Sequence, residues 1–349
     1  MVTGCYVETA SPEVATSLGA NLAFGNRDKD GLVEKLLALH PGPSTPEPAN
    51  QPPYQGRTRA FLKIQEGCDQ VCAFCIVPRT RGRERSLSPE ALVEAVRQRE
   101  AEGVQEVVLT GTQIGSYGFD IGIDGPGALL QALLEHTAVP RIRVSSLQPQ
   151  HLTPQLLALW EDPRLCRHFH IPLQSGSDAV LQRMRRRYDV EAFRRAVALV
   201  RRWLPEAAIT TDVIVGFPGE SDAEFDATYS LCQEVGFAAI HVFPYSRRNG
   251  TLAARMSDQV LESIKKGHLA RLLALAQESA AAFRQTLVAK TTAVLWEEAR
   301  PGASGAQVWQ GLTDNYVRVF TTSAADLRNR LLPVRLASLR PDGLWGKLL

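Results

Sequence analysis

EGCDQVCAFCIVPRTRGRERS, the stretch Glu66–Ser86, decides how this sequence folds, and it directly follows the strand-like run FLKIQ. Its three cysteines, Cys68, Cys72 and Cys75, have the spacing CxxxCxxC. Three soft thiolates without a nearby histidine suit an iron–sulfur cluster that is held through three irons, which leaves the fourth iron for an exogenous ligand. Zinc is the alternative, but it would require a fourth protein ligand that this loop does not supply.

Six short apolar runs alternate with longer amphipathic segments between Arg59 and about Thr251. This alternation is typical of βα units and a parallel sheet, and six units instead of eight predict a partial, open barrel. Polar or glycine-rich residues follow every run, at the strand ends where such folds bind their ligands. Ser88 before Pro89 predicts a helix start, and Gly103 predicts its end. The six predicted strands are Phe61–Gln65, Glu106–Thr110, Arg141–Ser146, His168–Leu173, Ile209–Val215 and Ala239–Tyr245.

The residue composition and the hydrophobic pattern change on both sides of the predicted barrel. The string HPGPSTPEPANQPPY contains six prolines and predicts an extended linker, which leaves about 40 residues before it as the remnant of an N-terminal α/β domain. That remnant carries a helical run at Gly31–Leu39 and a strand end at Val2–Cys5. We therefore divide the chain into residues 1–40, a linker at 41–54, the α/β barrel at 55–283 and a small C-terminal β-barrel at 284–349.

The C-terminal unit contains five strand-like runs: TTAVLWEE, QVWQG, NYVRVFTT, LLPVRLAS and LWGKLL. From Arg284 onward it has nine Lys or Arg and five Asp or Glu. We expect Tyr316, Arg318 and Phe320 to alternate onto one strand face that holds an RNA backbone and stacks bases. A solvated outer surface is the alternative.

Overall composition fits an intracellular globular protein. The 349 residues are 44% hydrophobic and 22% charged, with a net charge of +2 that neither requires nor excludes a polyanionic partner. Six cysteines are too few for a disulfide scaffold, and no apolar run approaches the roughly 18 residues of a membrane span. The amino terminus has no secretory signal pattern. We expect a cytoplasmic, reduced protein with no membrane partner.

The cysteine loop after the first strand, with Phe74 before the last cysteine, resembles the radical S-adenosylmethionine enzymes. The strings GTQIGSYG, HIPLQSGSDAVLQRMRRRY, DVIVGFPGES and HVFPYSRRNGTLAARM are similar to the methylthiotransferases of that superfamily. Over nearly the whole chain, the resemblance is greatest to the threonylcarbamoyladenosine tRNA methylthiotransferases of the MtaB type. It implies a radical-SAM barrel and a C-terminal TRAM barrel that binds tRNA.

In function, the resemblance implies a transferase that adds a 2-methylthio group to N6-threonylcarbamoyladenosine beside the anticodon of tRNA. One S-adenosylmethionine would donate a methyl group, and a second, chelated to the open iron, would yield a 5′-deoxyadenosyl radical. The electron donor and the sulfur source are not identifiable from the sequence. Family relatives act on isopentenyladenosine in tRNA or on a ribosomal-protein aspartate, so isopentenyladenosine is an alternative substrate. A zinc-stabilised, non-catalytic RNA-binding protein is the alternative of another class.

Site residues follow from the resemblance position by position. Cys68, Cys72 and Cys75 would hold the 4Fe-4S cluster, Phe74 would lie near the adenine of the cofactor, and Gly111 would approach its methionyl part. The other cofactor-binding candidates are Ser145, Ser146, Gln174 and Ser175. For each candidate outside the cysteines, the alternative is a turn or strand-end residue that satisfies local backbone groups.

Two further groups are interpreted from the residues themselves. We expect His170, inside an apolar strand, to be a satisfied core histidine rather than a proton carrier. Gly216 and Gly219 are expected to shape a turn, and a catalytic role of Glu220 is the alternative. Arginines follow both the cysteine loop and the fourth strand and suggest an RNA-binding surface, although a charge run is usually a solvated face. The predicted RNA-binding residues are Arg79, Arg81, Arg83, Arg85, Arg183, Arg185, Arg186, Arg187, Tyr316 and Arg318.

The resemblance also implies a second iron–sulfur cluster. Methylthiotransferases have a further N-terminal domain whose three cysteines hold an auxiliary 4Fe-4S cluster, thought to deliver sulfur. The string VTGCYVETA matches the context of the third, so Cys5 would be the lone remaining ligand, because Cys166 and Cys232 fall in predicted barrel segments. We expect a chain shortened at its start, by choice of initiation codon, with two ligands upstream of Met1. A genuine deletion would retain S-adenosylmethionine cleavage and lose sulfur insertion.

Overall fold

The computed structural model describes residues 2–9, 17, 19–20, 22–26, 31–39, 58–302 and 306–349. The predicted linker lies outside the described residues. At the N-terminus, strands β1 (Val2–Thr3) and β2 (Ala23–Phe24) pair in parallel, and helices α1 (Cys5–Thr9) and α2 (Leu32–Leu39) accompany them. The predicted helix at Gly31–Leu39 is therefore confirmed, while the predicted strand end stops at Thr3. None of the described helices is both long and apolar enough to cross a membrane.

The six predicted parallel strands are confirmed, and they form a curved half-barrel. Two sheets, with the orders β4-β3-β5-β6 and β7-β8-β9, meet where Ser146, just after β6, bridges to His170 of β7. The antiparallel edge strand β4 was not predicted. Strand β7 ends three residues before its predicted end, since Pro172 cannot donate a ladder hydrogen bond. The strands are β3 (Arg59–Glu66), β4 (Arg85–Ser86), β5 (Glu106–Gly111), β6 (Arg141–Val144), β7 (His168–His170), β8 (Ala208–Val215) and β9 (Ala239–Pro244).

Helices cover the outer face of the half-barrel. Alternate strand residues such as Val107, Ile142 and Val213 are buried in one core with the helices, so the intervening side chains face the concave side, here called the lumen. The predicted helix start is confirmed, because Ser88 Oγ accepts the Ala91 N–H. The helices are α3 (Val77–Thr80), α4 (Pro89–Ala101), α5 (Pro126–His136), α6 (Pro154–Ala158), α7 (Asp178–Arg183), α8 (Val190–Trp203), α9 (Asp222–Val235) and α10 (Glu262–Gln285).

The C-terminal residues form the predicted small β-barrel, closed in the order β10-β11-β12-β14-β13. Trp296, Val319 and Leu344 are fully buried at its centre. Its strands are β10 (Thr291–Pro301), β11 (Gln307–Thr313), β12 (Arg318–Ser323), β13 (Leu331–Arg340) and β14 (Gly343–Leu348).

The predicted alternation of Tyr316, Arg318 and Phe320 onto one strand face of this barrel is wrong. Tyr316 precedes β12 in a turn with a φ of 66°, so it does not continue the alternation with Arg318. Its ring lies 4.6 Å from the Arg143 guanidinium and 4.9 Å from the His168 ring. Phe320 is 7% exposed, with the Arg340 guanidinium 4.1 Å from its ring centre. Of the three residues, only Arg318 is left as an exposed side chain of the strand.

Two arginines dock the C-terminal barrel onto the lower end of the lumen, where the parallel strands begin. Arg141 donates to the Ala293 and Leu312 carbonyls, and Arg143 donates to the Asp314 carbonyl. Arg143 also forms a two-pronged ion pair with Glu106, at 2.8 and 3.1 Å, in which both side chains are buried. The barrel therefore closes the lower end and leaves the carboxyl ends of the strands open.

Candidate active site

The cysteine loop lies at the open end of the lumen, immediately after β3. The loop begins at Gly67, which has a φ of 79°. A Cβ at this position would lie 1.9 Å from the Arg83 carbonyl oxygen, so the start of the loop requires glycine. Its centre is fixed because the Ala73 N–H donates to Met184 O at 2.9 Å and Ala73 O accepts from Ala253 at 2.8 Å. The loop is thus tied to two distant segments, which orients the three thiols before any ligand binds.

The donor set fits an iron–sulfur cluster better than zinc. Structural zinc is usually held by four protein ligands, and this loop supplies three thiols. A 4Fe-4S cluster bound through three cysteines needs no fourth protein ligand. Cys68, Cys72 and Cys75 could therefore hold a cluster and leave one iron without a protein ligand.

The electrostatic surroundings of the thiols also suit metal ligands. Burial raises the pKa of the Cys68 thiol to about 11 and raises the pKa of the Cys75 thiol. Such thiols lose their protons when a bound cation compensates the charge. Arg186 Nη1 lies 3.2 Å from Cys72 Sγ and adds a positive charge. This contact holds Arg186 inside the protein, so Arg186 is not part of an exposed RNA-binding surface.

A cavity of about 370 Å³ opens beside Cys75. Phe74 forms one apolar wall and packs edge-on against Phe217, with ring centres 6.5 Å apart. Gln174, which has a φ of 66°, and Asp212 add an amide and a carboxylate to the lining of the cavity. An aromatic wall with a few fixed polar groups is the composition that binds a nucleoside, so the adenosyl part of S-adenosylmethionine fits here.

Buried glutamines connect this end of β5 to the cysteine loop. Gln65 Oε1 accepts the N–H groups of Thr112 and Gln113, and Gln148 Nε2 bridges the side chains of Gln70 and Gln113. Two atoms of this network, Thr112 Oγ1 and Gln113 Nε2, are buried without a hydrogen-bond partner. Their free capacity fits the amino and carboxylate groups of the methionyl part of the cofactor. The sequence analysis missed these glutamines, which stand in no recognisable motif.

The remaining predicted cofactor residues differ in their surroundings. Gly111 ends β5, and a Cβ there would lie 3.1 Å from the Gln65 carbonyl oxygen, so Gln65 occupies the space beside it. Ser145 and Ser146 are half-buried at the end of β6, on the same side as the cavity. The placement of Ser175 at the barrel mouth is wrong: it is fully buried, and its hydroxyl lies 3.2 Å from Thr228 Oγ1 on α9. Ser175 therefore fixes a helix and does not contact a ligand.

A polar triad, His170, Asp212 and His241, lies on the lumen wall of β7, β8 and β9. His170 Nε2 is 3.2 Å from Asp212 Oδ2, and the ligand atoms of all three lie within 4.8 Å of one another. The predicted satisfied histidine at position 170 has partners for both ring nitrogens. Its predicted place in the core is wrong, because the alternation of β7 turns His170 into the lumen and Phe169 into the core. Asp212 and His241 were missed, although a lone aspartate inside the apolar run ITTDVIV was a signal.

The predicted turn in GFPGES is confirmed. Gly216 and Gly219 have φ values of 69° and 75°, and Glu220 accepts the Gly216 N–H. Burial raises the pKa of Glu220 to about 7. Its carboxyl group thus holds the turn beside Phe217 rather than facing the cavity.

Some of the predicted RNA-binding arginines are held by contacts within the protein, and others have exposed side chains. Arg183 is held by the Glu224 carboxylate, and Arg79 donates to the Gly250 carbonyl. Arg83 pairs with Asp69 at 3.1 Å, while Arg85 is 3.9 Å from Glu66. Arg185 and Arg187 are exposed next to the cysteine-loop side of the half-barrel. The exposed arginines, here called the basic rim of the open end, are Arg79, Arg83, Arg85, Arg185 and Arg187. Arg183 and Arg186 are half-buried and lie outside this rim.

Cys5 lies against the helix that follows Cys75. Asn26 Nδ2 donates to Cys5 Sγ at 3.2 Å and to the Thr80 carbonyl at 2.9 Å. The hydrogen bond from Asn26 lowers the pKa of the Cys5 thiol. A fourth thiol therefore lies on the same side as the cysteine loop. Cys166 and Cys232 are buried away from it, as expected.

Comparison with known proteins agrees with this site. Residues 62–232 match the family described as the Radical SAM superfamily. The chain belongs to the radical S-adenosylmethionine methylthiotransferases.

Two relatives show where in that family it falls. It is 37% identical, over 96% of its length and 77% of the relative, to threonylcarbamoyladenosine tRNA methylthiotransferase MtaB of Bacillus subtilis (strain 168). It is 36% identical to the tRNA-2-methylthio-N(6)-dimethylallyladenosine synthase of Pelotomaculum thermopropionicum, over 83% of this chain and 65% of that one.

Among solved structures, coproporphyrinogen III oxidase (HemN) of Escherichia coli, a radical SAM enzyme, matches 75% of this chain and 68% of its own. With a TM-score of 0.50 and 15% identity, this match supports the fold alone. The predicted fold class, family and enzyme class are confirmed, and the non-catalytic zinc protein is not supported. The family implies a 4Fe-4S cluster and S-adenosylmethionine as cofactors, and tRNA as the substrate.

Proposed function

We propose that this chain replaces the C2 hydrogen of N6-threonylcarbamoyladenosine, beside the anticodon of tRNA, with a methylthio group. When bound, the cluster and S-adenosylmethionine supply radical chemistry at an unactivated carbon. The protein orients that cofactor against Phe74 and Gln174 and closes the lower end of the lumen against water. The tRNA would bind along the basic rim and the TRAM-like barrel, in the cytoplasm.

The polarity of the lumen wall favours the threonylcarbamoyl substituent. This substituent carries a carboxylate and a hydroxyl, whereas a dimethylallyl group is a hydrocarbon. Thr110, His170, Asp212 and His241 face the lumen near its open end, as strand alternation requires. A carboxylate or hydroxyl group could exchange hydrogen bonds with these side chains, whereas a hydrocarbon could not. The dimethylallyladenosine activity of the second relative is the competing substrate.

The auxiliary cluster is part of the proposal. Cys5, on the same side as the cysteine loop, would be one of its ligands, and a sulfur source and an electron donor of unidentified kind would act with it. Iron analysis after anaerobic reconstitution tests this assignment: a content above about four irons per chain that falls to about four in Cys5→Ala supports it, and about four irons in both proteins contradicts it.

Nucleoside mass spectrometry of tRNA tests the function directly. A strain without its own threonylcarbamoyladenosine methylthiotransferase should regain the methylthiolated nucleoside when it expresses this protein, and Cys72→Ala should fail to restore it. Cys232→Ala is the matched control, because Cys232 is buried away from the loop. Methylthiolation of dimethylallyladenosine alone would overturn the substrate assignment.

A further inference from the structure

Arg186 is a half-buried cation that no carboxylate compensates. In the described part of the chain, no Asp or Glu forms an ion pair with Arg186, whereas Arg183, earlier in the same segment, is paired with Glu224 at 2.9 Å. The side-chain partners of Arg186 are instead Cys72 Sγ, 3.2 Å from Nη1, and the Tyr188 hydroxyl, 3.1 Å from Nε. Burying an unpaired charge is costly, so we expect an anion beside this guanidinium in the loaded protein.

The side chain of Arg186 is held in place by its surroundings. Its guanidinium lies 4.8 Å from the centre of the Tyr188 ring, and the Tyr188 hydroxyl donates to the Pro172 carbonyl at 2.6 Å. The backbone just before it is held as well, because the Met184 carbonyl accepts the Ala73 N–H of the cysteine loop at 2.9 Å. A backbone contact and a side-chain contact thus join this segment to the cysteine loop, and they keep the guanidinium beside the thiol.

The anion that fits this place is an iron–sulfur cluster bound through Cys72. Three thiolates give an oxidised 4Fe-4S cluster a net negative charge, and one-electron reduction makes it more negative. A hydrogen bond and a positive charge at a ligand sulfur stabilise the reduced state more than the oxidised state, which raises the reduction potential.

We infer that Arg186 raises the reduction potential of the cluster and so favours entry of the electron that starts each reaction cycle. The residue acts through Cys72, to which it donates a hydrogen bond. The electron comes from an external one-electron reductant, for which dithionite stands in the assay below. This inference rests on the proposed function, because it takes the cluster to be held by Cys68, Cys72 and Cys75.

Potentiometric titration of the anaerobically loaded protein, followed by the EPR signal of the reduced cluster and carried out without S-adenosylmethionine, tests this role. Arg186→Met removes the charge and the hydrogen bond. We expect at least a tenfold fall in the ratio of reduced to oxidised cluster at a fixed potential, which lowers the midpoint of a one-electron couple by about 59 mV. Arg186→Lys, which keeps the charge, should have a midpoint between those of Arg186→Met and the wild type. Arg185→Met is the matched control and should keep the wild-type midpoint, because water and salt screen the charge of the exposed Arg185.

Iron analysis separates the failure of this inference from the failure of the proposed function. A wild-type protein that holds no iron would refute the cluster assignment and the inference with it. A loaded Arg186→Met with the wild-type midpoint would overturn the role of Arg186 alone. A midpoint that changes only when S-adenosylmethionine is present would also overturn it, because Arg186 would then contact that cofactor instead.

A second variant decides the question if Arg186→Met holds no cluster. Tyr188→Phe keeps the arginine and removes the hydroxyl that accepts from its Nε. A lowered midpoint in this variant supports the inference, and an unchanged midpoint overturns it.

Discussion

The buried ion pair between Glu106 and Arg143 supports the docking of the C-terminal barrel onto the half-barrel, and Arg143→Met tests its contribution. Glu106 and Arg143 have side chains that are 0% and 3% exposed, and Arg143 also donates to the Asp314 carbonyl at 2.8 Å. Methionine fills most of the arginine volume but leaves the Glu106 carboxylate with only Arg141, 3.7 Å away. Removing one partner of a buried pair costs about 3–5 kcal/mol.

The expected loss of thermal stability follows from chain length. With about 2.1 cal/mol/K of unfolding entropy per residue, 349 residues give about 0.7 kcal/mol/K, so the variant should melt about 4–7 °C lower if the chain unfolds as one unit. Differential scanning calorimetry of the anaerobically loaded protein measures this shift. The double variant Glu106→Gln, Arg143→Met removes the unpaired charge and should recover at least half of it.

Two results would refute this reasoning. A single variant that melts within about 1 °C of the wild type would mean that the pair contributes little to docking. A double variant as unstable as the single one would mean that the loss comes from packing or from the Asp314 contact instead of the uncompensated Glu106.

Three further predictions concern the loop, the turn and the rim. Gly67→Ala, with its Cβ 1.9 Å from a carbonyl oxygen, should lower the iron content after reconstitution by at least half, while Gly127→Ala, which meets nothing closer than 3.9 Å, should not. Because burial raises the pKa of Glu220 to about 7, the folded state keeps a proton that the unfolded state loses above about pH 4.5. The free energy of unfolding should therefore fall between about pH 5 and 7, by up to about 3 kcal/mol, and urea titrations of Glu220→Gln should lack this fall. Replacing Arg185 and Arg187 with Gln should weaken tRNA binding for all tRNAs alike and reduce the salt slope by about one for each lost phosphate contact; an unchanged slope in filter binding would exclude them from the interface.

The sequence was sufficient for the fold because its local patterns agree with one another. Each parallel strand is an apolar run closed by glycine, proline or polar residues, so the six strands could be located to within a few residues. The cysteine spacing likewise identified the cluster loop without three-dimensional information. Predicted strand boundaries were wrong where the backbone leaves the extended conformation, as at Tyr316, which has a positive φ.

The polar triad could not be predicted in the same way. Its members are separated by 42 and 29 positions along the chain, and only the register of β7, β8 and β9 brings them together. Which of two alternating faces is the lumen depends on the curvature of the whole sheet, as the misassigned His170 shows. Ser175 was misplaced for a related reason, because its contact with Thr228 depends on how α9 packs.

The C-terminal barrel blocks the lower end of the half-barrel, and this limits the routes by which ligands enter and leave the lumen. With Arg141, Arg143 and Glu106 filling that end, ligands cannot pass through it along the strand axis. They enter and leave beside the cysteine loop or between the edge strands β4 and β9. A tRNA bound over the exposed arginines would cover the first of these routes, so we expect cofactor exchange to be slower while RNA is bound.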